Sequence, residues 1–392
     1  MNESKLWTRD FLLDTMINFT LYFAHFLPLV TIAVYAADHF QASASEAGLA
    51  SGIYIIGGLI ARTLTGRVID RIGRKKTLYF GLCFFLMTTL LYFCAKNSLM
   101  LLFLVRFLHG VGWGISATAT ATIIANIIPI KRLGEGTGYY ALSVTVASAI
   151  GPLTAMLVIE RASFDMMINL TLVLAIINLI TAFLLKVPEA ELTKNHLDEM
   201  KGWKLDNFFE AKAVPISIVA IFMGIGVASV VQFLSSYVRA IDLADAGSFF
   251  FLVYAMAMLI SRPFTGRWFD SKGENFVIYP SFLLFALGLI ILSLANQGAI
   301  LFLAAILTGV GFGTFASSAQ ALSVKLSPRH RTGLATSTYF SLLDIGAGIG
   351  PVFLGLLIPV TGFRGLYVSV AVIVLFCIVL YYFLHGRKVR EE

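Results

Sequence analysis

The chain has 392 residues, of which 58% are hydrophobic and 13% charged, and its mean hydropathy is +0.86. A water-soluble domain of this length could not bury so much apolar surface, so the composition excludes the soluble classes and predicts a helical membrane protein. The net charge of +7 does not indicate a nucleic-acid partner, because the basic residues are concentrated in short loops and no basic recognition helix is visible.

Twelve apolar segments follow one another, most of them long enough to cross a hydrocarbon core of about 30 Å. The first six lie at roughly 11–36, 47–66, 77–95, 98–128, 136–159 and 164–186. The last six lie at roughly 213–238, 247–266, 276–295, 298–325, 333–359 and 365–385. We predict an all-α polytopic membrane protein with an N-terminal six-helix bundle (1–186), a linker (187–212) and a C-terminal six-helix bundle (213–392).

The distribution of Lys and Arg predicts the orientation of these spans. One side of the membrane receives the cluster at 67–76, Lys131, Arg132, the linker lysines and Lys325. The opposite side receives only Lys96, Arg161, Arg239 and Arg364. Both termini and the linker are therefore predicted to be cytoplasmic, in a multi-pass protein of the bacterial plasma membrane.

A basic loop motif (66–76) follows the second apolar segment, and its skeleton recurs 200 residues later. The first copy contains Gly66, Arg67, Asp70, Arg71, Gly73 and Arg74, and the second contains Gly266, Arg267, Asp270 and Gly273. Further along, Gly110, Gly112 and Gly114 match Gly309, Gly311 and Gly313 at an offset of 199. An internal repeat of this length predicts two copies of one half, related by an axis along the membrane normal, with the substrate site between them.

Charged and titratable residues inside the spans are candidate functional groups, because they are costly in lipid. Arg106 lies in the fourth span with His109 one turn on, and Asp344 lies about a dozen residues into the eleventh span, the only carboxylate predicted to lie so deep. Asp344 is predicted to carry the coupling proton or to meet a cationic substrate; the alternative is a structural ion pair. For His109 the alternative is a packed hydrogen-bonding residue. Arg62 and Arg262 either extend to the interface or act as a gate.

Other polar and aromatic side chains could line a cavity between the halves. The candidates are Tyr22, His25, Tyr54, Trp113, Tyr140, Gln232 and Tyr254. Gly and Pro residues in the fifth and eleventh spans predict close, bent helix packing: Gly151, Pro152, Gly346, Gly350 and Pro351. The spacing of His and Cys does not fit a metal site, and no Walker-type loop or serine elbow occurs, so we expect no metal, no cofactor and no enzyme activity.

With these motifs the chain resembles the major facilitator superfamily, and more narrowly its twelve-span drug–proton antiporters. The stretch 66–76 looks like the loop motif of that family, which implies a latch on the outward-facing state; the alternative is a basic membrane anchor. We expect Asp70 to accept hydrogen bonds from a helix N-terminus and the basic residues to stay at the anionic leaflet. The second copy lacks most of the basic tail and is expected to be weaker.

The segment around Arg106 resembles the fourth-span motif, where the family links an arginine to proton coupling. The Gly–Pro pairs resemble the antiporter signature, although Ala147, Ala155 and Met156 replace some glycines in the fifth span, which weakens the case for export over import. The resemblance implies a proton-driven exporter of a small amphipathic, drug-like or metabolite substrate, acting as a monomer among membrane lipids. The alternatives are a proton-coupled importer of a polar solute and a receptor-like or lipid-handling protein.

Overall fold

The computed structural model describes residues 5–161, 164–189, 192–194, 196, 202 and 204–387. Within these ranges the regular elements are helices, and no β-strand occurs. The predicted linker (187–212) is described only in part, because 190, 191, 195, 197–201 and 203 lie outside the described residues. The all-α prediction is confirmed.

Eleven long helices are present in the described part of the chain. The first six are α1 (Arg9–Phe40), α2 (Ala44–Ile72), α3 (Arg74–Leu91), α4 (Leu99–Ile127), α5 (Leu133–Arg161) and α6 (Phe164–Leu184). The other five are α7 (Val214–Ala240), α8 (Ala244–Lys272), α9 (Glu274–Ser293), α10 (Gly298–Leu326) and α11 (Thr332–Tyr381). Nine helical stretches among the described residues are long and apolar enough to cross a membrane.

The last helix accounts for two predicted spans. It is 50 residues long and is interrupted at Gly362, where the backbone has φ 67° and ψ 177°. The predicted segments 333–359 and 365–385 lie on either side of this residue. Glycine adopts positive φ without steric cost, so Gly362 lets the chain turn between two spans, and the eleven helices accommodate twelve spans.

Side-chain caps fix the beginnings of several helices. Thr8 Oγ1 accepts a hydrogen bond from the Phe11 amide at the start of α1, and Ser98 Oγ accepts one from the Leu101 amide at the start of α4. Ser43 and Glu46 form a reciprocal capping box at the start of α2. Such caps satisfy amides that have no partner within the helix. The helices therefore begin where polar residues occur, before the apolar runs.

The chain forms two compact units. The first unit consists of Met1–Ile128, Ser143–Phe209 and Pro328–Ser337, and the second of Pro129–Leu142, Glu210–Ser327 and Thr338–Glu392. Helices α5 and α11 therefore each begin in one unit and continue in the other. The domain boundaries predicted from sequence, 1–186 and 213–392, remain a prediction.

The two units repeat the same helix packing. In the first unit α4 packs along α2 and α3, and in the second α10 packs along α8 and α9. A Cβ on Gly110 would strike the carbonyl oxygen of Tyr54, and a Cβ on Gly309 would lie 2.6 Å from that of Tyr254. These glycines are repeat partners, as are the two tyrosines, so the sequence repeat corresponds to equivalent close helix contacts.

Candidate functional site

The first loop motif joins α2 to α3 through the single residue Gly73, whose φ is 108°. Helix α2 continues to Ile72, six residues beyond the predicted end of its span. The Asp70 carboxylate is buried and accepts a hydrogen bond from the backbone amide of Gly333, 2.8 Å away in the first turn of α11. Asp70 thus binds a helix N-terminus, where the dipole favours negative charge.

Arg74 completes this contact. Its side chain is 2% exposed, and its Nε and Nη2 atoms lie 2.9 and 2.7 Å from Asp70 Oδ1. Its Nη1 atom donates to the carbonyl of Pro188 at 2.8 Å. Arg74 is buried because the buried Asp70 carboxylate requires a partner, and the expectation that the basic residues stay at the anionic leaflet remains a prediction.

The linker contributes to the same motif. Glu189 accepts hydrogen bonds from the amides of Arg74 and Lys75 at 2.7 and 3.0 Å, so it caps the N-terminus of α3. Arg67 Nη2 donates to the carbonyl of Gly202 at 2.9 Å, and its guanidinium lies 4.6 Å from the centre of the Phe208 ring. Sequence reasoning missed Glu189, because nothing in its neighbourhood marks a cap 115 residues away in the chain.

Two further residues of the first loop motif have different surroundings. Arg71 is exposed. Gly66 packs so closely on Ser337 that an added Cβ would overlap its side chain. Ser337 Oγ also donates to the Arg62 carbonyl at 2.8 Å. The end of α2 therefore holds the first turns of α11 both by charge and by close packing.

The second loop motif has the same core with different partners. Asp270 accepts hydrogen bonds from the amides of Gly134 and Glu135, at 2.7 and 2.8 Å, and so caps the N-terminus of α5. Gly266 packs against the same backbone: a Cβ there would lie 2.6 Å from the Gly134 carbonyl oxygen. The turn residue Gly273 has a φ of 86°. The repeat therefore preserves the carboxylate cap.

The second loop motif lacks most of the basic tail, and its Arg267 pairs instead with Glu135 on α5. The Glu135 Oε1 atom accepts from Arg267 Nε at 2.9 Å, and its Oε2 atom accepts from Arg132 Nε at 2.7 Å. Burial alone would raise the pKa of Glu135, but the hydrogen bonds from Arg267 and Arg132 hold it below the ordinary value. Glu135 precedes the predicted span 136–159, and sequence reasoning missed it; its position three residues after Arg132 is the signal that was available.

The fourth span buries a chain of hydrogen-bonding groups in the first unit. Arg106 is 0% exposed; its Nε donates to the Ala50 carbonyl at 2.9 Å and its Nη1 to the Tyr92 hydroxyl at 3.2 Å. The Tyr92 hydroxyl lies 3.2 Å from His109 Nδ1, and Thr89 Oγ1 lies 3.2 Å from His109 Nε2. His109 is therefore connected to Arg106 through Tyr92, and hydroxyl groups hold both of its ring nitrogens.

Four of the predicted cavity residues lie together in the first unit. The His25 ring stacks on Trp113 with centroids 4.6 Å apart, and it lies 5.0 Å from Tyr54. Tyr22 meets Trp113 edge to face at 5.5 Å. The Arg106 guanidinium lies 4.5 Å from the Tyr54 ring centre, and that of Arg62 lies 5.1 Å from the Trp113 ring centre. Aromatic faces thus stabilise two buried cations.

Arg62 and Arg262 are 1% and 5% exposed, so both side chains are buried in the protein. Within the second unit Arg262 donates to the Ala141 carbonyl in the first turns of α5. The other cavity candidates belong to this unit and differ in burial: Tyr140 is buried, Tyr254 is half-buried and Gln232 is exposed.

Asp344 and Asp14 are carboxylic acids within helices predicted to span. Asp344 is half-buried on α11, where α11 packs against α7. Asp14 on α1 is 0% exposed, and neither of its carboxylate oxygens has a hydrogen-bond partner. Asp14 is thus more buried in the protein than Asp344, and the depth of Asp344 in the membrane stays a prediction. In the described ranges, no three His, Cys, Asp or Glu side chains group as metal ligands would.

The Gly–Pro motifs lie at close helix contacts. Gly151 on α5 faces Phe26 on α1, and a Cβ there would lie 2.6 Å from Phe26 Cβ. Gly346 on α11 faces the Ile221 carbonyl on α7 with no room for a side chain, and Gly350 packs on Ile225. Pro152 and Pro351 lie inside the same helices. The small residues therefore bring α5 against α1 and α11 against α7 in equivalent ways.

A model of the Major Facilitator Superfamily matches residues 15–282 and 241–392. An uncharacterized MFS-type transporter of Methanocaldococcus jannaschii is 25% identical over 346 residues, which cover 86% of this chain and 88% of that protein. The staphylopine export protein of Staphylococcus aureus is 24% identical over 346 residues, 84% of each. Multidrug resistance protein 1 of Bacillus subtilis is 25% identical over 331 residues, 81% of this chain and 82% of that protein.

Solved structures show the same fold. A bacterial homologue of the iron transporter ferroportin, in an outward-facing state, superposes with a TM-score of 0.77 at 12% identity, over 97% of this chain and 100% of that one. The transporter FucP, in the outward conformation, superposes with a TM-score of 0.74 at 14% identity, over 97% and 99%. At these identities the likeness concerns the fold alone.

Proposed function

This chain belongs to the Major Facilitator Superfamily, and from that premise we propose that it exports a small amphipathic, drug-like or metabolite substrate in exchange for protons. The family consists of membrane transporters, not enzymes, so the coarse function is transport of a small molecule across a membrane. The proposal adds a direction, a coupling ion and a substrate class. It places the protein in the plasma membrane with both termini in the cytoplasm and no cofactor.

Export is supported by the names of two relatives, which are a staphylopine export protein and a multidrug resistance protein. The Gly–Pro contacts of α5 and α11 agree with the antiporter signature that the sequence resembles. The departure in the fifth span, at Ala147 and Ala155, does not prevent close packing, because Gly151 still receives Phe26.

Proton coupling is supported by the ionisable groups buried in the helices. Arg106 places a guanidinium in the interior of the first unit, connected through Tyr92 to His109. Asp344 and Asp14 supply carboxylates that can take up and release a proton as their surroundings change. One proton moving down a potential of 100 mV supplies about 2.3 kcal/mol, enough for a substrate gradient of about fiftyfold.

The observation that carries the proposal is the pair of carboxylate-capped helix starts. Asp70 binds the start of α11 and Asp270 binds the start of α5. Alternating access requires contacts that hold one state and can be released. A carboxylate that holds backbone amides without a covalent bond is such a contact, and the repeat supplies one in each unit.

The purified protein in liposomes, with a panel of labelled amphipathic substrates, tests the function. An exchanger accumulates substrate in the lumen when the lumen is acidic, because protons leave as substrate enters. Accumulation only when the exterior is acidic would instead establish proton-coupled import. Binding with no flux under either gradient would establish a receptor-like or lipid-handling protein.

The Asp344→Asn variant tests the coupling residue in the same assay. We expect proton-driven accumulation to fall at least tenfold, while exchange of labelled for unlabelled substrate without a gradient continues, because Asn keeps the shape but cannot carry a proton. Asp242→Asn, a change outside the spans, serves as the matched control. Unchanged proton-driven flux in the Asp344 variant would remove this residue from the mechanism.

A further inference from the structure

A cleft of about 530 Å³ lies on the first unit where α2, α3 and α4 meet. Its size is within the range of small-molecule sites. Apolar side chains make up most of its lining, including Leu64, Val68, Ile72, Phe80, Val111 and Ile115. The lining of the cleft therefore favours a hydrocarbon ligand. The cleft is separate from the buried cluster around Arg106.

The cleft is open toward the part of the surface that lipid would cover. Leu64, Ile72 and Phe80 are 47%, 53% and 61% exposed, although each belongs to a membrane helix or its end. Exposed apolar side chains at this position are expected to contact acyl chains rather than water. An acyl chain is thus the occupant that the apolar lining can accept.

Two basic residues, Arg67 and Lys76, also line the cleft. Both lie within two helical turns of the junction at Gly73, whereas Val111 and Ile115 lie in the middle of α4. Lys76 is exposed, and the guanidinium of Arg67 is held by Gly202 and Phe208 at the linker. The cleft is therefore cationic near the loop and apolar deeper in the membrane, which matches an anionic lipid.

The charge of the loop motif strengthens this match. The stretch 67–76 contains five basic residues and one acidic residue, and Asp70 is already paired with Arg74. In the second copy Phe276 stands at the position of Lys76 and Glu274 at that of Arg74, so basic and acidic residues balance over 267–276. Basic residues beside a span attract anionic lipids, and this attraction belongs to the first copy alone.

We propose that this cleft binds an anionic phospholipid from the leaflet that faces the first loop motif. One acyl chain occupies the apolar cleft, and the phosphate lies at Lys76 and Arg67. The proposal depends on the spans and their charges, and it holds whether transport runs outward or inward.

Native mass spectrometry of the purified full chain tests the site, with phosphatidylglycerol and phosphatidylethanolamine of identical acyl chains in competition. We expect one phosphatidylglycerol molecule to be retained in preference. Lys76→Gln should reduce that preference about fivefold, the effect of one basic side chain at an anionic surface. Lys272→Gln is the matched control: it removes the same charge from the second copy, where Lys272 lies 4.5 Å from the centre of the Phe276 ring.

A second pair of variants tests the acyl site independently of charge. Val111→Phe, or Ile115→Phe if the first variant is poorly folded by size-exclusion chromatography, fills the cleft and should reduce retention of both lipids. Equal retention of the two lipids by the natural chain would overturn the proposal. So would an equal loss in the Lys76 and Lys272 variants, or full retention when the cleft is filled.

Discussion

At the scale of single residues, the structure separates carboxylates that are partnered from one that is not. Asp70 accepts hydrogen bonds from Arg74 and from the Gly333 amide, and Asp270 accepts two from backbone amides. Asp14 is more buried than either, yet its oxygens accept none. An ionised carboxylate without hydrogen bonds is costly in an apolar interior. Asp14 and Asp70 therefore contribute differently to the stability of the folded state.

Replacing Asp14 by Asn should therefore leave stability unchanged or raise it, because Asn keeps the shape and removes an ionisable group that has no hydrogen-bond partner. The apparent melting temperature of the variant in detergent measures this. The comparison is Asp70→Asn, which breaks a buried ion pair and should lower stability by about 3–5 kcal/mol. An equal loss in both variants would show that Asp14 is ionised and partnered in solution.

At the scale of helices, close contacts depend on a few glycines. Helix α11 meets the backbone of α7 at Gly346, whereas Gly348, two residues further on, has nothing within 4 Å of an added Cβ. The backbone carbonyl of Ile221 cannot turn aside as a side chain could. Gly346 therefore limits how closely these helices approach, whereas its near neighbour Gly348 does not.

Gly346→Ala is accordingly expected to destabilise the protein by about 1–3 kcal/mol, the range for overpacking. Gly348→Ala should be neutral or stabilising, because alanine favours a helix over glycine by about 1 kcal/mol. Thermal unfolding of the two variants, measured side by side in one detergent, checks the difference. Equal melting temperatures would mean that α7 and α11 are further apart than the structure has them.

Sequence reasoning was most accurate for features that repeat or that depend on apolar length. It predicted the helices and the equivalence of Gly110 with Gly309. It placed the end of α2 too early, since the charged residues after Gly66 were interpreted as a loop although they continue the helix to Ile72. Glu189 could not be assigned, because its partners Arg74 and Lys75 are 115 and 114 residues away in the chain and periodicity carries no information on such pairs. For Glu135 the available signal was its position three residues after Arg132.

The burial of a side chain in the protein could not be predicted from the sequence either. Order along a helix predicts Asp344 near the middle of its span, but neighbouring helices determine burial. Asp14 is enclosed by the first unit, while Asp344 is half-buried. The cavity candidates show the same limit: Tyr22, His25, Tyr54 and Trp113 lie together, whereas Gln232 is exposed.

At the scale of the whole molecule, the compact units do not coincide with the two halves of the sequence. Pro328–Ser337 packs in the first unit and Pro129–Leu142 in the second. The carboxylate caps provide the physical reason, because Asp70 holds the amide of Gly333 and Asp270 holds that of Gly134. Each half of the chain thus supplies the first turns of one helix to the unit built mainly from the other half.

Because each half of the chain supplies a helix start to the other unit, splitting the polypeptide between its halves removes these contacts. A polypeptide ending at residue 199 would keep Asp70 and Arg74 but lose the amide of Gly333, leaving a buried carboxylate incompletely satisfied. We expect that fragment to aggregate when synthesised alone and to be rescued by co-synthesis of 200–392, as seen by its yield after detergent extraction. Full yield of the isolated fragment would show that a half-chain is a self-sufficient folding module.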